Sequence, residues 1–155
     1  MKTRYDMVTV FVARPDASGA PHEFLQLLRS PGQYMCGTWQ TISGGIEPAE
    51  TAVAAALREM REESGLTPIE FYRLPSIESF YTVADDTIWH PAAFFALVSR
   101  DVKVALDHEH TDHRWASIDR VNETFMWPGE RALIREIRDE ILGNGLAKPH
   151  LLIKL

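Results

Sequence analysis

Alternation of apolar and polar residues divides the first third of the chain into short extended segments. Residues 5–14 (YDMVTVFVAR) are rich in β-branched and apolar side chains, and residues 23–30 (EFLQLLRS) are similar. A cluster of turn-forming residues, PDASGAPH, lies between them at 15–22, so the two segments are predicted to pair as a β-hairpin. A third short strand is predicted at 38–43 (TWQTIS), and it leads into a pair of glycines.

A helical period replaces this alternation at about residue 50. From 50 to 64, apolar residues recur at three- and four-residue intervals, which is typical of the buried side of an amphipathic helix. These residues are Val53, Ala56, Leu57 and Met60. Gly65 follows at the position where helices often end in a left-handed residue, so the helix is predicted to stop there.

The rest of the chain continues to mix strands and helices. Strand-like runs occupy 69–83 and 88–99, and a short strand is predicted at 114–117 after a polar loop. A second helix is predicted over 127–142, and the last residues, 147–155, form either a terminal strand or a tail. The apolar side of the second helix is predicted to contain Ala132, Ile134, Ile137 and Ile141. This irregular order predicts the α/β (α+β) class, with a mixed central sheet between helices.

Length, charge and cysteine content narrow the class of protein. A chain of 155 residues suits one domain, covering 1–155, and it is large enough to bury a core without disulfides. The net charge of −6 argues against a nucleic-acid partner but is compatible with a small phosphorylated substrate, because a metal ion can supply positive charge. Cys36 is the single cysteine, which excludes an intramolecular disulfide and favours a reducing, cytoplasmic setting. No apolar run is long enough to cross a membrane, and the first residues do not resemble a signal peptide.

Three glutamates on the first helix suggest a metal site. At about 100° per residue, Glu59, Glu62 and Glu63 fall in one sector, where like charges destabilise a helix by a few tenths of a kcal/mol per pair. A divalent cation such as Mg²⁺ or Mn²⁺ removes this repulsion, because both ions prefer oxygen ligands. Ala52 and Ala55 lie in the same sector and are expected to leave room for the ion. The alternative interpretation is an ordinary solvated acidic face.

The residues around these glutamates decide between the two interpretations. The pattern G-x5-E-x7-R-E-M-x-E-E-x-G-L runs from Gly44 to Leu66, and it resembles the Nudix box, the signature of the Nudix hydrolases. The resemblance implies an α/β/α sandwich and a metal-dependent pyrophosphohydrolase that acts on nucleoside diphosphates linked to another group. It also implies roles for the residues at matching positions. The glutamates Glu59, Glu62 and Glu63 would hold Mg²⁺ or Mn²⁺, Arg58 would hold a carboxylate in place, Glu50 would orient the loop, and Gly44 and Gly45 would let the backbone approach metal and phosphate.

A second acidic candidate lies late in the chain. Glu109, in the run DHEHTDHRW at 107–115, is similar in its spacing from Trp115 to a glutamate that faces the metal in some Nudix hydrolases. We therefore expect Glu109 to be a further metal ligand or the general base, and the choice of base between it and a box glutamate stays open. The histidines of this run invite a zinc site, but no cysteine accompanies them and exposed loop histidines are the simpler interpretation.

The substrate is less firmly indicated than the reaction. The run WQTISG at 39–44 resembles the bacterial enzymes that cleave dATP and dihydroneopterin triphosphate, which release a monophosphate and pyrophosphate. Tyr81 lies near the position that marks enzymes of dinucleoside polyphosphates, so an Ap4A-type hydrolase is the alternative, as is a nucleotide-binding module without catalysis. Trp39 and Arg29 are candidates for contacting the small-molecule nucleotide. The apolar residues 149–155 could mediate a homodimer, and neither a nucleic acid nor a membrane is expected as a partner.

Overall fold

Two β-sheets and four α-helices make up the part of the chain that this computed structural model describes, residues 1–19 and 21–155. The strands are β1 (Lys2–Arg4), β2 (Met7–Pro15), β3 (His22–Arg29), β4 (Trp39–Gln40), β5 (Ile42–Gly45), β6 (Glu70–Arg73), β7 (Phe80–Thr82), β8 (Thr87–Trp89), β9 (Ala92–Leu97), β10 (His110–Ser117) and β11 (Leu152–Ile153). The helices are α1 (Ala52–Ser64), α2 (Val121–Thr124), α3 (Pro128–Glu136) and α4 (Lys148–Leu151).

The larger sheet is mixed and lies between α1 and α3. Its strand order is β10-β3-β2-β9-β6-β11, with β4 paired to β3 and β5 paired to β2. The β2–β9 pair is parallel, and the neighbouring β2–β3 and β6–β9 pairs are antiparallel. Because side chains alternate along a strand, Val8 and Val10 pack in the core cluster that contains Met60 of α1, whereas Phe11 packs in the cluster that contains Ile134 of α3. The predicted α/β/α sandwich with a mixed sheet is confirmed.

The first hairpin has the predicted order of elements. Strands β2 and β3 pair antiparallel, with Ala13 opposite Phe24 and Arg14 opposite Glu23. The predicted turn at 15–22 includes residue 20, which lies outside the described residues. The predicted strand at 38–43 is divided at Thr41 into β4 and β5, and β5 extends through both glycines to Gly45.

Helix α1 begins slightly later than predicted and presents a different face to the core. Thr51 caps its first turn, because the Thr51 Oγ1 accepts a hydrogen bond from the Ala54 N–H at 3.2 Å, so the helix begins at residue 52 rather than 50. Gly65 ends it with φ of 71°, as predicted. The buried residues of the helix are Ala55, Ala56, Met60, Glu63 and Ser64.

These buried residues show that the core side of α1 is turned toward the glutamates. On the helical wheel their mean direction lies about 45° from the predicted one, on the side of Glu63. The expectation that Ala52 and Ala55 leave room for a ligand is therefore wrong: Ala55 is fully buried in the core, and Ala52 packs against the same cluster. Val53 and Leu57 lie at the edge of the core and are only partly buried.

The two strand-like runs in the middle of the chain are each interrupted near a proline. The run 69–83 forms β6 and β7, separated by a segment that contains Pro75, and the run 88–99 forms β8 and β9 on either side of Pro91. Proline lacks the N–H that a sheet ladder needs, which explains the breaks. Strands β7 and β8 instead join β1 in a separate three-stranded sheet. Strand β10 is longer than the predicted 114–117, because it begins within the polar run at His110 and pairs along β3.

The C-terminal region closes the opposite face of the sheet. A π-helical segment, Ile137–Leu142, continues α3, so together they match the predicted helix over 127–142. Ile134, Ile137 and Ile141 are buried as predicted, but Ala132 is exposed and Leu133 takes its place in the core. The last residues form neither a tail nor one continuous strand: helix α4 precedes the two-residue strand β11, which pairs antiparallel with β6. Within the described residues, no helix combines the length and apolar character needed to span a membrane.

Candidate active site

A cleft of about 520 Å³ opens where the end of β5 meets α1 and the segment before β10. It contains five carboxylates, three from α1 and two from the segment 107–109, together with the backbone of the glycine pair. The residues that line the cleft are Ser43, Gly44, Gly45, Glu59, Glu62, Glu63, Asp107, His108 and Glu109. The structure therefore brings the glutamates of α1, Glu109 and both glycines into one site.

The contact between β5 and α1 depends on the missing side chain of Gly44. A Cβ added to Gly44 would lie 2.0 Å from the carboxylate carbon of Glu59 and 2.1 Å from its Oε1. At Gly45 the nearest atom to an added Cβ is the Asp6 carbonyl oxygen at 3.9 Å, which is ordinary contact. A Cβ at Gly44 would therefore displace the Glu59 carboxylate, whereas a Cβ at Gly45 would not disturb its surroundings.

Arg58 holds three carboxylates and the β5 backbone together. Its Nε and Nη2 donate to the two oxygens of Glu50 at 3.0 Å each, and its Nη1 donates to Glu59 at 2.7 Å and to Glu62 at 3.2 Å. Its Nη2 also donates to the Gly45 carbonyl at 2.8 Å. Hydrogen bonds to Glu50 and Glu59 raise the pKa of Arg58. The fork of a guanidinium suits this task, because one planar group can serve several oxygens at fixed angles.

Glu63 is the most strongly perturbed group in the cleft. Its side chain is buried, with 5% relative exposure, and its Oε2 has no hydrogen-bond partner. Burial raises the pKa of Glu63 to about 9, and the negative charges of Glu59, Asp107 and Glu109 add to the effect. Burial also raises the pKa of Glu59, and the ion pair with Arg58 only partly offsets this. A buried carboxylate without a partner is costly, so this position demands a compensating positive charge or a proton.

The opposite wall of the cleft is fixed to the end of β3. The Ser30 N–H donates to the Glu109 carbonyl at 2.8 Å, and the Arg29 Nη1 donates to the Glu109 carboxylate at 2.9 Å. Asp107 accepts from the Glu109 N–H at 3.1 Å and lies 2.8 Å from the Nδ1 of the buried His110. Glu109 is therefore held at the rim of the cleft by an ion pair and by the backbone.

The donor set of the cleft suits a hard divalent cation. All five acidic side chains offer oxygen ligands, and the unpartnered Oε2 of Glu63 lies deep among them. Within residues 1–19 and 21–155, no three acidic, histidine or cysteine side chains are already arranged to coordinate an ion. Arg58 and Arg29 hold Glu59, Glu62 and Glu109 in ion pairs, which a cation would have to share or replace.

Two predicted substrate contacts lie outside the cleft. Arg29 contacts Glu109 from behind rather than lining the cleft, and Trp39 lines a separate cavity beside β4. Of the histidines that suggested a zinc site, His110 is buried against Asp107 and His108 lines the cleft. Asp107 is the acidic cleft residue that the sequence analysis did not single out. The signal was present, because an aspartate in a turn commonly accepts a hydrogen bond from the N–H two residues later, which places Asp107 beside Glu109.

Comparisons with known proteins agree with this arrangement. A family model described as the NUDIX domain matches residues 6–141. Bis(5'-nucleosyl)-tetraphosphatase [asymmetrical] of Sus scrofa is 29% identical over 127 residues, which is 79% of this chain and 82% of that protein. An Ap4A hydrolase of C. elegans has a similar fold, with a TM-score of 0.69 and 22% identity over 88% of this chain and 98% of that one. The dihydroneopterin triphosphate pyrophosphohydrolase of E. coli gives a TM-score of 0.68 at 18% identity, covering 85% of this chain and 95% of that one.

Proposed function

The chain belongs to the Nudix hydrolase family, and from this premise we propose that it cleaves the pyrophosphate linkage of a nucleoside triphosphate or a related nucleoside-diphosphate compound. It is a pyrophosphohydrolase acting on nucleoside phosphates. The observation that carries the finer proposal is the buried, unpartnered carboxylate oxygen of Glu63 in a cleft with four other acidic side chains. The products we expect are a monophosphate and pyrophosphate.

Glu59, Glu62, Glu63 and Glu109 are the residues that would hold Mg²⁺ or Mn²⁺, with Glu63 at the centre. When bound, such an ion neutralises phosphate charge and lowers the pKa of a coordinated water. Glu62 is the most exposed of the four, with 57% side-chain exposure, so we assign it a weaker contribution than Glu59 and Glu63. Asp107 adds negative charge close to Glu63 and is a fifth candidate.

The remaining groups position the substrate and accept the proton. The backbone of Gly44 and Gly45 forms a wall without side chains, against which a phosphate can lie closely. Arg58 fixes Glu59 and the Gly45 carbonyl relative to each other, so we assign it a positioning role. Where Glu109 does not hold the ion, we propose it as the general base, because it lines the cleft with the glutamates and Arg29 holds its carboxylate in place.

A second candidate substrate is a dinucleoside tetraphosphate. It is favoured by the similarity to the Sus scrofa tetraphosphatase, which extends over 79% of this chain. Tyr81, whose position in the sequence suggested such a substrate, lies on the separate three-stranded sheet and donates to Asp86 at 2.9 Å. The similarity over the whole domain is therefore the better support for this candidate.

Product analysis separates these possibilities. The protein is incubated with Mg²⁺ and a panel of dNTPs, dihydroneopterin triphosphate, diadenosine tetraphosphate, ADP-ribose and nucleotide sugars, and the products are separated by ion-exchange chromatography. Pyrophosphate together with a monophosphate supports the leading proposal, whereas ATP and AMP from diadenosine tetraphosphate support the second. Tight binding without turnover across the panel would show a nucleotide-binding module and contradict both.

A further inference from the structure

The pairing of β10 with β3 is irregular at the end nearest the acidic cleft. From Asp112 onward β10 follows one register against β3, with Asp112 opposite Leu28, but His110 lies opposite Arg29, the next residue of β3. Two residues of β10 therefore span one step of β3, and Thr111 is the extra residue of a β-bulge. Bulges re-aim the side chains beside them and occur often next to active sites.

The bulge decides which face of the sheet receives the side chain of His110. Leu25 and Leu27 of β3 pack in the core cluster on the α1 side of the sheet, and Arg29 continues the same alternation. Without the extra residue, His110 would lie opposite Ser30 and would point to the other face, because a shift of one residue exchanges the faces. The bulge therefore places His110 beside Arg29 on the α1 side, where the cleft lies.

His110 is buried between a carboxylate and a guanidinium. Its side chain is 1% exposed, its Nδ1 lies 2.8 Å from the Oδ1 of Asp107, and its Nε2 lies 3.5 Å from the Nη1 of Arg29. A carboxylate accepts hydrogen bonds, whereas a guanidinium can only donate them. These two neighbours therefore require an imidazole that carries its proton on Nδ1 and offers Nε2 as an acceptor.

The same guanidinium holds the carboxylate of Glu109. The Arg29 Nη1 donates to the Glu109 Oε2 at 2.9 Å, and since Nη1 carries two hydrogens it can serve Glu109 and His110 together. The Arg29 Nε donates to the Tyr34 carbonyl at 3.3 Å. The Oδ1 of Asp107 also accepts from the backbone N–H of Glu109 at 3.1 Å. The contacts among these side chains therefore form a closed loop that begins and ends at Glu109.

The orientation of Glu109 matters for either role proposed for it. A metal ligand and a general base must both present an oxygen at a fixed place, and a displacement of about 1 Å can cost about 10²-fold in rate. The Glu109 side chain is 37% exposed, and an exposed ion pair restrains a carboxylate only weakly unless the cation is itself held. A neutral acceptor at His110 restrains the guanidinium without neutralising it, so Arg29 keeps its full charge for Glu109.

We propose that His110 is a positioning residue for hydrolysis, which fixes Arg29 through its Nε2 acceptor and thereby orients the carboxylate of Glu109 in the cleft. The proposal rests on the proposed function, because it requires Glu109 to act in hydrolysis. It explains why β10 bulges at Thr111, and why a histidine is buried beside the cleft without lining it.

The first test determines the tautomer of His110 in the unsubstituted protein and needs neither a variant nor activity. Long-range ¹H–¹⁵N correlation spectra of the labelled protein, recorded in the buffer of the kinetic assays, show which ring nitrogen carries the proton. The ring of His110 is assigned through its backbone resonances. We expect the proton on Nδ1. A proton on Nε2, or on both nitrogens, would turn a donor toward Arg29 and would overturn the proposal.

The second test is a double-mutant cycle on the rate of hydrolysis, measured at saturating Mg²⁺ with a compound of the panel that the protein cleaves. His110→Phe keeps a ring but removes both nitrogens, and it should lower kcat by about tenfold or more. KM should change little, because His110 does not line the cleft. In a Glu109→Gln background the same substitution should cost little more, since the group that it positions is already lost. The matched His113→Phe variant, after the bulge on the same strand, should keep its activity.

The outcomes separate this proposal from the proposed function. Losses that multiply in the double variant would show that His110 acts independently of Glu109, which would overturn the positioning role. A loss in Glu109→Gln with none in His110→Phe would overturn it as well and would leave the proposed function intact. Full activity in Glu109→Gln would contradict the role proposed for Glu109 itself. Absence of hydrolysis of every compound in the panel would contradict the proposed function, and the positioning role with it, whatever the tautomer of His110.

Discussion

At the scale of single residues, the buried position of Glu63 conflicts with the negative charge that a glutamate normally has. It is a buried carboxylate in an acidic surrounding, and its Oε2 has no partner. Such a position is unfavourable for folding and is explained by function. The same position in a protein without a cation requirement would be expected to hold glutamine or an apolar residue, because these carry no charge to desolvate.

Replacement of Glu63 by glutamine separates its function from its role in folding. We expect Glu63→Gln to lower kcat/KM by about 10² or more, because loss of a ligand at the reacting phosphate costs several kcal/mol and each 1.4 kcal/mol is tenfold. The melting temperature without metal should stay the same or rise, since the amide, unlike Glu63, does not have to take up a proton when it is buried. The matched Glu62→Gln variant, at a position with 57% side-chain exposure, should lose less activity. Full activity in Glu63→Gln, measured by pyrophosphate release, would contradict the metal assignment.

At the scale of elements, the close approach of β5 to α1 builds the site. An alanine at Gly44 would place its Cβ about 2 Å from the Glu59 carboxylate, so Gly44→Ala should displace that carboxylate and lower kcat by at least about tenfold. The fold should be retained, because the displaced atoms are the flexible end of a side chain. Gly45→Ala is the matched control, since its Cβ would have 3.9 Å of clearance from the nearest atom and φ is not positive there. Steady-state kinetics of the pair check this, and equal losses in both variants would refute it.

The first turn of α3 holds a second buried carboxylate. Burial raises the pKa of Glu130 to about 8, and the charge of Glu78 adds to this, while N–H groups of Trp127 and Thr41 partly oppose it. A group whose folded pKa exceeds its unfolded value stabilises the fold less as pH rises between the two, here from about 4.5 to about 8. In the Glu130→Gln variant, the unfolding free energy should therefore fall less over that pH range than in the unsubstituted protein, by at most a few kcal/mol. Denaturant titrations at pH 5 and pH 8.5 measure this, with the exposed Asp101→Asn as a control; an unchanged decline would contradict it.

The same elements show what the sequence could and could not predict. The hairpin and the end of α1 at Gly65 followed from local chemistry, because turn residues and capping residues act within a few positions. The direction in which α1 faces did not follow, since the burial of Ala55 and Glu63 depends on the elements that pack around the helix. A hydrophobic pattern locates the apolar residues, but it does not show which polar residue a neighbouring strand will cover.

Only some residues of the candidate site could be predicted from the sequence, for a related reason. Glu59, Glu62 and Glu63 lie on one helix, so their proximity is fixed by the helical repeat. Glu109 and Asp107 reach them only through the pairing of β10 with β3, and the resemblance to a family motif was needed to suggest the first of these. The cavity beside Trp39 combines side chains from three separate segments, and no local pattern marks such a combination.

At the scale of the whole molecule, proton binding and cation binding compete for the same acidic cleft. The folded protein without metal holds protons on Glu63 and Glu130 more tightly than the unfolded chain does, since burial raises both pKa values, to about 9 and about 8. The contribution of these two groups to the free energy of unfolding is therefore greatest below about pH 4.5 and falls as pH rises toward 9. A divalent cation should reverse part of this loss, because it replaces the proton on Glu63.

This competition predicts how Mg²⁺ changes the melting temperature at different pH. A ligand at 100 times its dissociation constant stabilises the fold by about 2.7 kcal/mol, and its apparent dissociation constant rises when protons occupy its ligands. The increase in melting temperature caused by Mg²⁺ should therefore be larger at pH 8 than at pH 5.5 in the unsubstituted protein, and small at both in Glu63→Gln. Arg138→Lys, remote from the cleft, should behave like the unsubstituted protein. Calorimetry with chelator-treated protein measures the melting temperatures of all three proteins. An equal Mg²⁺ effect in Glu63→Gln would mean that the cation binds outside the acidic cleft. Stabilisation by Mg²⁺ would then be unrelated to the chemistry proposed for the cleft.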